Sequence, residues 1–104
     1  MTYATYRDIP THIKWQEDFE GNSARGITEK NGWYYIYSYN TIMAIVLPNK
    51  KAVVNTNYYS HTTSRLQNII KHYLNAVVIC VEPKGAWYAG DNAVMEREAK
   101  QLAS

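Results

Sequence analysis

A single cysteine, Cys80, stands among 104 residues, with three prolines and five glycines. One thiol excludes an internal disulfide framework and any cysteine-only metal cluster. No apolar stretch approaches the roughly 18 residues that a membrane-spanning helix needs. The first residues lack the apolar core of a secretory signal, so the expected compartment is the cytoplasm. Metal-ligand spacing is missing as well. His12, His61 and His72 are scattered, and there is no His-x-x-x-His, no cysteine pair and no knot of acids. The expectation is a protein without metal, cofactor or membrane partner. With 46% hydrophobic and 19% charged residues, the chain reads as one globular domain over residues 1–104.

The absence with the most content is that of acid from the middle of the chain. Residues 30–81 carry Lys30, Lys50, Lys51, Arg65 and Lys71 and no carboxylate, a net +5. Residues 1–29 set three cations against five acids, and residues 82–104 set three against four, which leaves the whole chain at +2. Seven of the ten tyrosines fall in the acid-free segment, with Trp33, His61 and His72. Cations meet phosphates, and flat rings stack on bases. The same residue types also anchor protein interfaces, and tyrosine favours half-buried strand positions for packing reasons alone.

Hydrophobic periodicity predicts an α+β fold: a mainly antiparallel sheet, built as a meander and packed by one amphipathic helix, plus a C-terminal helix. Residues 1–22 fit either a short helix capped by Thr11 or period-two spacing. Ala24 to Glu29, Trp33 to Tyr39, Ile42 to Leu47 and Ala52 to Asn55 read as strands. Asn31-Gly32 is a hairpin signal. In the second segment Trp33, Tyr35, Tyr37 and Tyr39 would share one face, and Tyr34, Ile36 and Ser38 the other. Leu66, Ile69, Ile70, Tyr73 and Leu74 then follow a helical stripe, with Thr62, Thr63 or Ser64 as N-cap. The continuous apolar run Ala76 to Val81 predicts a central strand covered on both faces, with Cys80 as inert core. Trp87-Tyr88 reads as a short edge strand. A last helix is expected to run to about Leu102, with Val94, Met95, Ala99 and Leu102 inward.

The candidate working surface is Lys50, Lys51, Tyr58, Tyr59, His61, Thr62, Thr63, Ser64, Arg65, Asn68, Lys71 and His72. Ser60 to Ser64 is dense in hydroxyls at a helix start. It serves as a cap or, with Arg65, as a phosphate cradle. A catalytic use of His61, Ser64 and Arg65 would need a carboxylate from Glu17, Asp18, Glu20 or Glu29 brought close by the fold. No catalytic residue is assigned, and the chain is not read as an enzyme.

Three motifs in order, Phe19-Glu20-Gly21-Asn22-Ser23, Tyr37-Ser38-Tyr39-Asn40-Thr41-Ile42-Met43-Ala44 and Tyr59-Ser60-His61-Thr62-Thr63-Ser64-Arg65-Leu66-Gln67, span about half the chain. They resemble a small uncharacterised domain family of bacteriophages, plasmids and their bacterial hosts. Asn40 stands where that pattern usually has glycine, and Leu66 where it usually has histidine. The second departure argues against chemistry by a motif histidine. The resemblance implies a mobile-element setting in a bacterial host cell, where small domains bind nucleic acid or block a host defence machine. Two expectations follow. One is a non-enzymatic binder of nucleic acid through the basic, tyrosine-rich segment. The other is an inhibitor of a host defence protein, in the manner of an anti-CRISPR protein, acting through protein–protein contact. A homodimer pairing two sheets through tyrosines is compatible with the sequence too.

Overall fold

A computed structural model of the chain describes residues 2–83 and 88–103. Seven strands form one sheet in chain order: β1 (Thr2–Tyr3), β2 (Phe19–Glu20), β3 (Ala24–Thr28), β4 (Tyr34–Ser38), β5 (Thr41–Val46), β6 (Lys51–Asn55) and β7 (Val77–Val81). The run from β2 to β6 is antiparallel. The two outer pairs, β1 with β2 and β6 with β7, are parallel. Parallel neighbours need a crossover, and helices α1 (Ile9–Lys14) and α2 (His61–Tyr73) supply one each. Helix α3 (Tyr88–Ala103) closes the chain, and the fold class is α+β as expected.

Side-chain alternation divides the sheet into two faces. Under α1 and α2 lie Tyr34, Ile36, Met43, Ala44, Val46, Ala52 and Val54, packed against Ile13, Phe19, Leu66, Ile70 and Leu74. Under α3 lie Tyr35, Ile42, Ile45, Leu47 and Val53, packed against Met95 and Ala99. A bulge between Ile36 and Tyr37 shifts the β4–β5 register, and Met43 and Ala44 both join the α2 side. Complete burial of an Ile or Leu contributes about 1.5–3 kcal/mol, so the two helical layers together hold the sheet.

Several boundaries differ from expectation for local reasons. Residues 9–14 are helical, with Asp8 at the N-cap position and Pro10 in the first turn, where a missing N–H does no harm; Thr11 lies inside the helix. Ser60, one turn ahead of the expected caps, accepts from the Thr63 amide at 3.2 Å, and α2 begins at His61. Tyr39 adopts φ +54° in the β4–β5 turn and leaves the strand, so it does not share a face with Tyr35 and Tyr37. Tyr73 ends α2 exposed. Gly32, at φ +84°, supplies the left-handed residue of the β3–β4 hairpin. Tyr88 begins α3 and is not part of a strand. Trp87, with Lys84 and Gly85 of the expected chain break, lies outside the described residues.

The main correction concerns β7. It is a boundary strand, hydrogen-bonded to β6 alone among the described residues. Val77 is 64% and Ile79 42% exposed, and Cys80 is exposed, not core. An apolar run of strand length marks a strand but does not say whether a layer covers it.

Two predictions follow from this packing. A Cβ on Gly26 would sit 2.8 Å from Cδ1 of Phe19 and crowd the Tyr34 hydroxyl as well. Gly26→Ala is therefore expected to lower stability by about 1–3 kcal/mol in urea unfolding, because both rings belong to a filled core. The second concerns alkali. Burial holds the Tyr34 and Tyr35 hydroxyls well above the ordinary 10.0, with Asp18 and then Glu17 adding at Tyr34 and a hydrogen bond to Glu96 adding at Tyr35. Tyr37 is raised by burial although Arg25 pulls it down, and Tyr59 is raised by burial too. A raised folded pKa gives stability that is whole below the unfolded value and is lost as pH climbs through the folded one. Unfolding free energy should thus fall above about pH 10, and absorbance titration should show these four phenols ionising late.

Candidate functional site

The polar side of α2 is the one surface on which most of the candidate residues meet. His61, Ser64, Arg65, Asn68, Lys71 and His72 recur at three- and four-residue spacing along one stripe, because the opposite stripe of Thr63, Leu66 and Ile70 is drawn into the core. The first turn holds no acid, and Lys71 and His72 lie in the last. Thirteen residues give a stripe of roughly 20 Å.

Grooves flank the stripe on both sides. One, of about 510 Å³, runs between α2 and the β6–β7 edge and is lined by Val54, Asn55, Thr56, Ser64, Gln67, Asn68, Lys71, Val78 and Cys80. Its floor is apolar and its α2 wall is polar. The other, of about 320 Å³, lies toward α1 and is lined by Tyr6, Pro10, Arg65, Asn68, Ile69, His72 and Tyr73. Asn68 borders both. A third depression, of about 430 Å³, opens at the helix start among Ser38, Tyr39, Thr41, Tyr59, Ser60, Thr62 and Thr63.

Two hydroxyls of the run are engaged within the chain. Ser60 is committed as cap, and buried Thr63 shares a 2.8 Å hydrogen bond with Ser38. Arg65 lies 4.4 Å over the ring of Tyr6. The hydroxyl of Tyr6 in turn reaches Ser23 at 3.1 Å and donates to the Thr62 carbonyl at 3.4 Å. Two of the four carboxylates on which a catalytic reading would draw are engaged elsewhere. Glu17 pairs with His12 at 3.1 Å, and Asp18 accepts from the amide and hydroxyl of Thr28.

Tyr58 and Tyr59 separate sharply. Tyr58 is 69% exposed, edge-on to the His61 ring at 6.4 Å, and free to offer its face. Tyr59 is half-buried and donates to Asp91 at 2.7 Å while accepting from Asn55 at 2.8 Å. It is a structural tie between β6, the start of α2 and α3. Lys50 and Lys51 stand apart from the stripe, at the β5–β6 turn beside the start of β7, where the Val77 amide donates to the Lys50 carbonyl at 2.8 Å. Lys71 has no ion-pair partner among the described residues.

Residues that sequence reasoning missed are those that shape the groove. Gln67 spans from α2 to the carbonyls of Asn55 and Asn57 at 2.9 and 2.8 Å and fixes the groove's closed end. Buried Asn55 also donates to the Ile42 carbonyl at 3.1 Å, and the side chain of Asn57 donates to the Pro83 carbonyl. The signal was Asn55-Thr56-Asn57, a polar triplet straight after a strand, where buried amides are expected to serve backbone groups.

Residues 8–80, from the entry to α1 through most of β7, match the model of a family of unknown function, DUF8033. The chain belongs to that family. The match covers the whole α2 stripe and the groove beside β6 and β7, and leaves out β1, Tyr6 of the groove toward α1, and α3. No curated protein and no solved structure matches the chain.

The geometry separates the two tyrosines experimentally. Tyr59→Phe removes a half-buried hydroxyl that serves Asp91 and Asn55, and is expected to cost about 1–3 kcal/mol. Tyr58→Ala should leave the thermal midpoint within a degree or so, since an exposed ring adds little to stability. Thermal unfolding of the two variants checks both.

Proposed function

We propose that this member of DUF8033 is a small, non-enzymatic binding protein of a phage or mobile element, and that it binds nucleic acid through the polar stripe of α2. What carries the reading is the stripe itself: acid-free, cationic, continuous for about three turns and bordered by grooves on both sides. Lys71 and Arg65 would meet phosphates, with Lys50 and Lys51 extending the positive field beyond the stripe. Exposed Tyr58 at one end and Tyr73 at the other offer ring faces to unstacked bases. Asn68, between the grooves, adds an amide able to donate and accept. Thr62 and His61 continue the surface at the helix start, while Tyr59 and Thr63 support it from beneath.

No helix among the described residues is long and apolar enough to cross a bilayer.

Fluorescence anisotropy with labelled single-stranded DNA, duplex DNA and RNA tests the reading. Binding should weaken steeply with salt, and Arg65→Ala with Lys71→Ala should lower both the affinity and the salt slope, the slope by about two on duplex DNA. Flat titrations at low salt overturn nucleic-acid binding and leave inhibition of a host defence protein by direct contact as the reading to pursue.

A further inference from the structure

We propose that the open edge of β7 is a self-association surface, on which β7 of a second copy of this chain pairs antiparallel about Ile79 and joins two seven-stranded sheets into one. The edge carries none of the devices that keep sheets apart. Val77-Val78-Ile79-Cys80-Val81 contains no charge, no proline and no bulge, and four of its five side chains are exposed.

The backbone settles which groups are available. The Val77 amide donates to the Lys50 carbonyl and the Val81 carbonyl accepts from the Thr56 amide, so residues 77, 79 and 81 turn their polar groups toward β6. By alternation, the N–H and C=O of Val78 and Cys80 face the open edge. A two-fold axis through Ile79 sets Val78 opposite Cys80 of the second copy. Each such pair exchanges two hydrogen bonds, and the same axis sets Val77 opposite Val81. Every apolar residue of the strand then meets an apolar residue, whereas a shift of one or two positions would leave part of the run unpaired.

Charge selects the antiparallel arrangement. Lys51 is level with Val77 at one end of β7, with Lys50 beside it, and Glu82 follows Val81 at the other end. Antiparallel pairing brings Glu82 of each copy to the row of the other's lysines, two strand spacings or about 10 Å away. Two-fold closure also consumes the edge, so assembly stops at the dimer. Both α2 stripes would lie on the same side of the joined sheet, with the groove floors at Val78 and Cys80 adjoining. The inference stands whether or not α2 binds nucleic acid.

Sedimentation velocity across the micromolar range tests it with three forms of the chain. Wild type should dimerise with rising concentration. Ile79→Lys puts one lysine directly opposite itself across the axis, and should weaken association on the order of tenfold or more. Ile79→Val keeps the β-branched contact and should still dimerise. Amide exchange on the wild type adds a readout that needs no variant: the Val78 and Cys80 amides should be protected at high concentration and exposed at low. A wild type that stays monomeric throughout overturns the proposal, as does an Ile79→Lys variant that dimerises unchanged. Exchange at Val78 and Cys80 that ignores concentration overturns it too, including where Ile79→Lys fails to fold.

Discussion

Everything in this molecule is arranged around one strand that has to be dry on both sides. All six residues of β5 are buried, with Met43, Ala44 and Val46 on one face and Ile42 and Ile45 on the other. A sheet covered on one face would leave half of that strand in water, so two helical layers are required. Helix α2 comes from the crossover between β6 and β7, and α3 comes from the end of the chain. Their positions decide which surfaces remain for binding. The outer side of α2 stays open because its inner side is consumed by the core. Two strands away from β5, the same layers no longer reach the β7 edge.

Polar side chains pin the layers in register where apolar packing alone would permit sliding. Asn55, buried at the end of β6, bonds to Ile42 and Tyr59 and receives Gln67, while Tyr59 continues to Asp91. Asn92 of α3 accepts from the Ile42 amide and donates to the Asn40 carbonyl, each at 2.8 Å. Buried polar groups of this kind are costly when half-satisfied and specific when complete. They also explain why a tyrosine-rich segment exposes few tyrosines. Tyr34 and Tyr35 are core, Tyr37 lies against Arg25 at 4.5 Å, and Tyr59 is a tie. Tyr39, Tyr58 and Tyr73 are the tyrosines of the segment that remain exposed.

Legibility in the sequence followed the range of the interactions concerned. The meander from β3 to β6 and the helix from His61 were readable because hairpin turns and a 3.6-residue stripe are local signals. The polar stripe of α2 was readable for the same reason, being the complement of Leu66 and Ile70. The cap at Ser60 in place of Thr62, Thr63 or Ser64 was a one-turn error within a run of hydroxyls that all have the right chemistry. Two kinds of fact were not readable. The Asn55–Tyr59–Asp91 tie joins residues up to 36 positions apart and leaves no periodic trace. The exposure of β7 depends on which strand ends the sheet, a property of topology and not of composition.

That second failure bears on function. Ala-Val-Val-Ile-Cys-Val has the composition of a strand sealed between layers, yet among the described residues β7 pairs with β6 alone. A chain with so apolar an edge faces a choice between covering it and aggregating. The five-residue length and the lysine-to-glutamate polarity along the edge favour a closed pairing of two copies over open-ended stacking, because each edge can be used once. Covering β7 in this way leaves the α2 stripes outward on a common side. The requirement that dries the apolar edge and the requirement that keeps the cationic surface wet are then met by one arrangement.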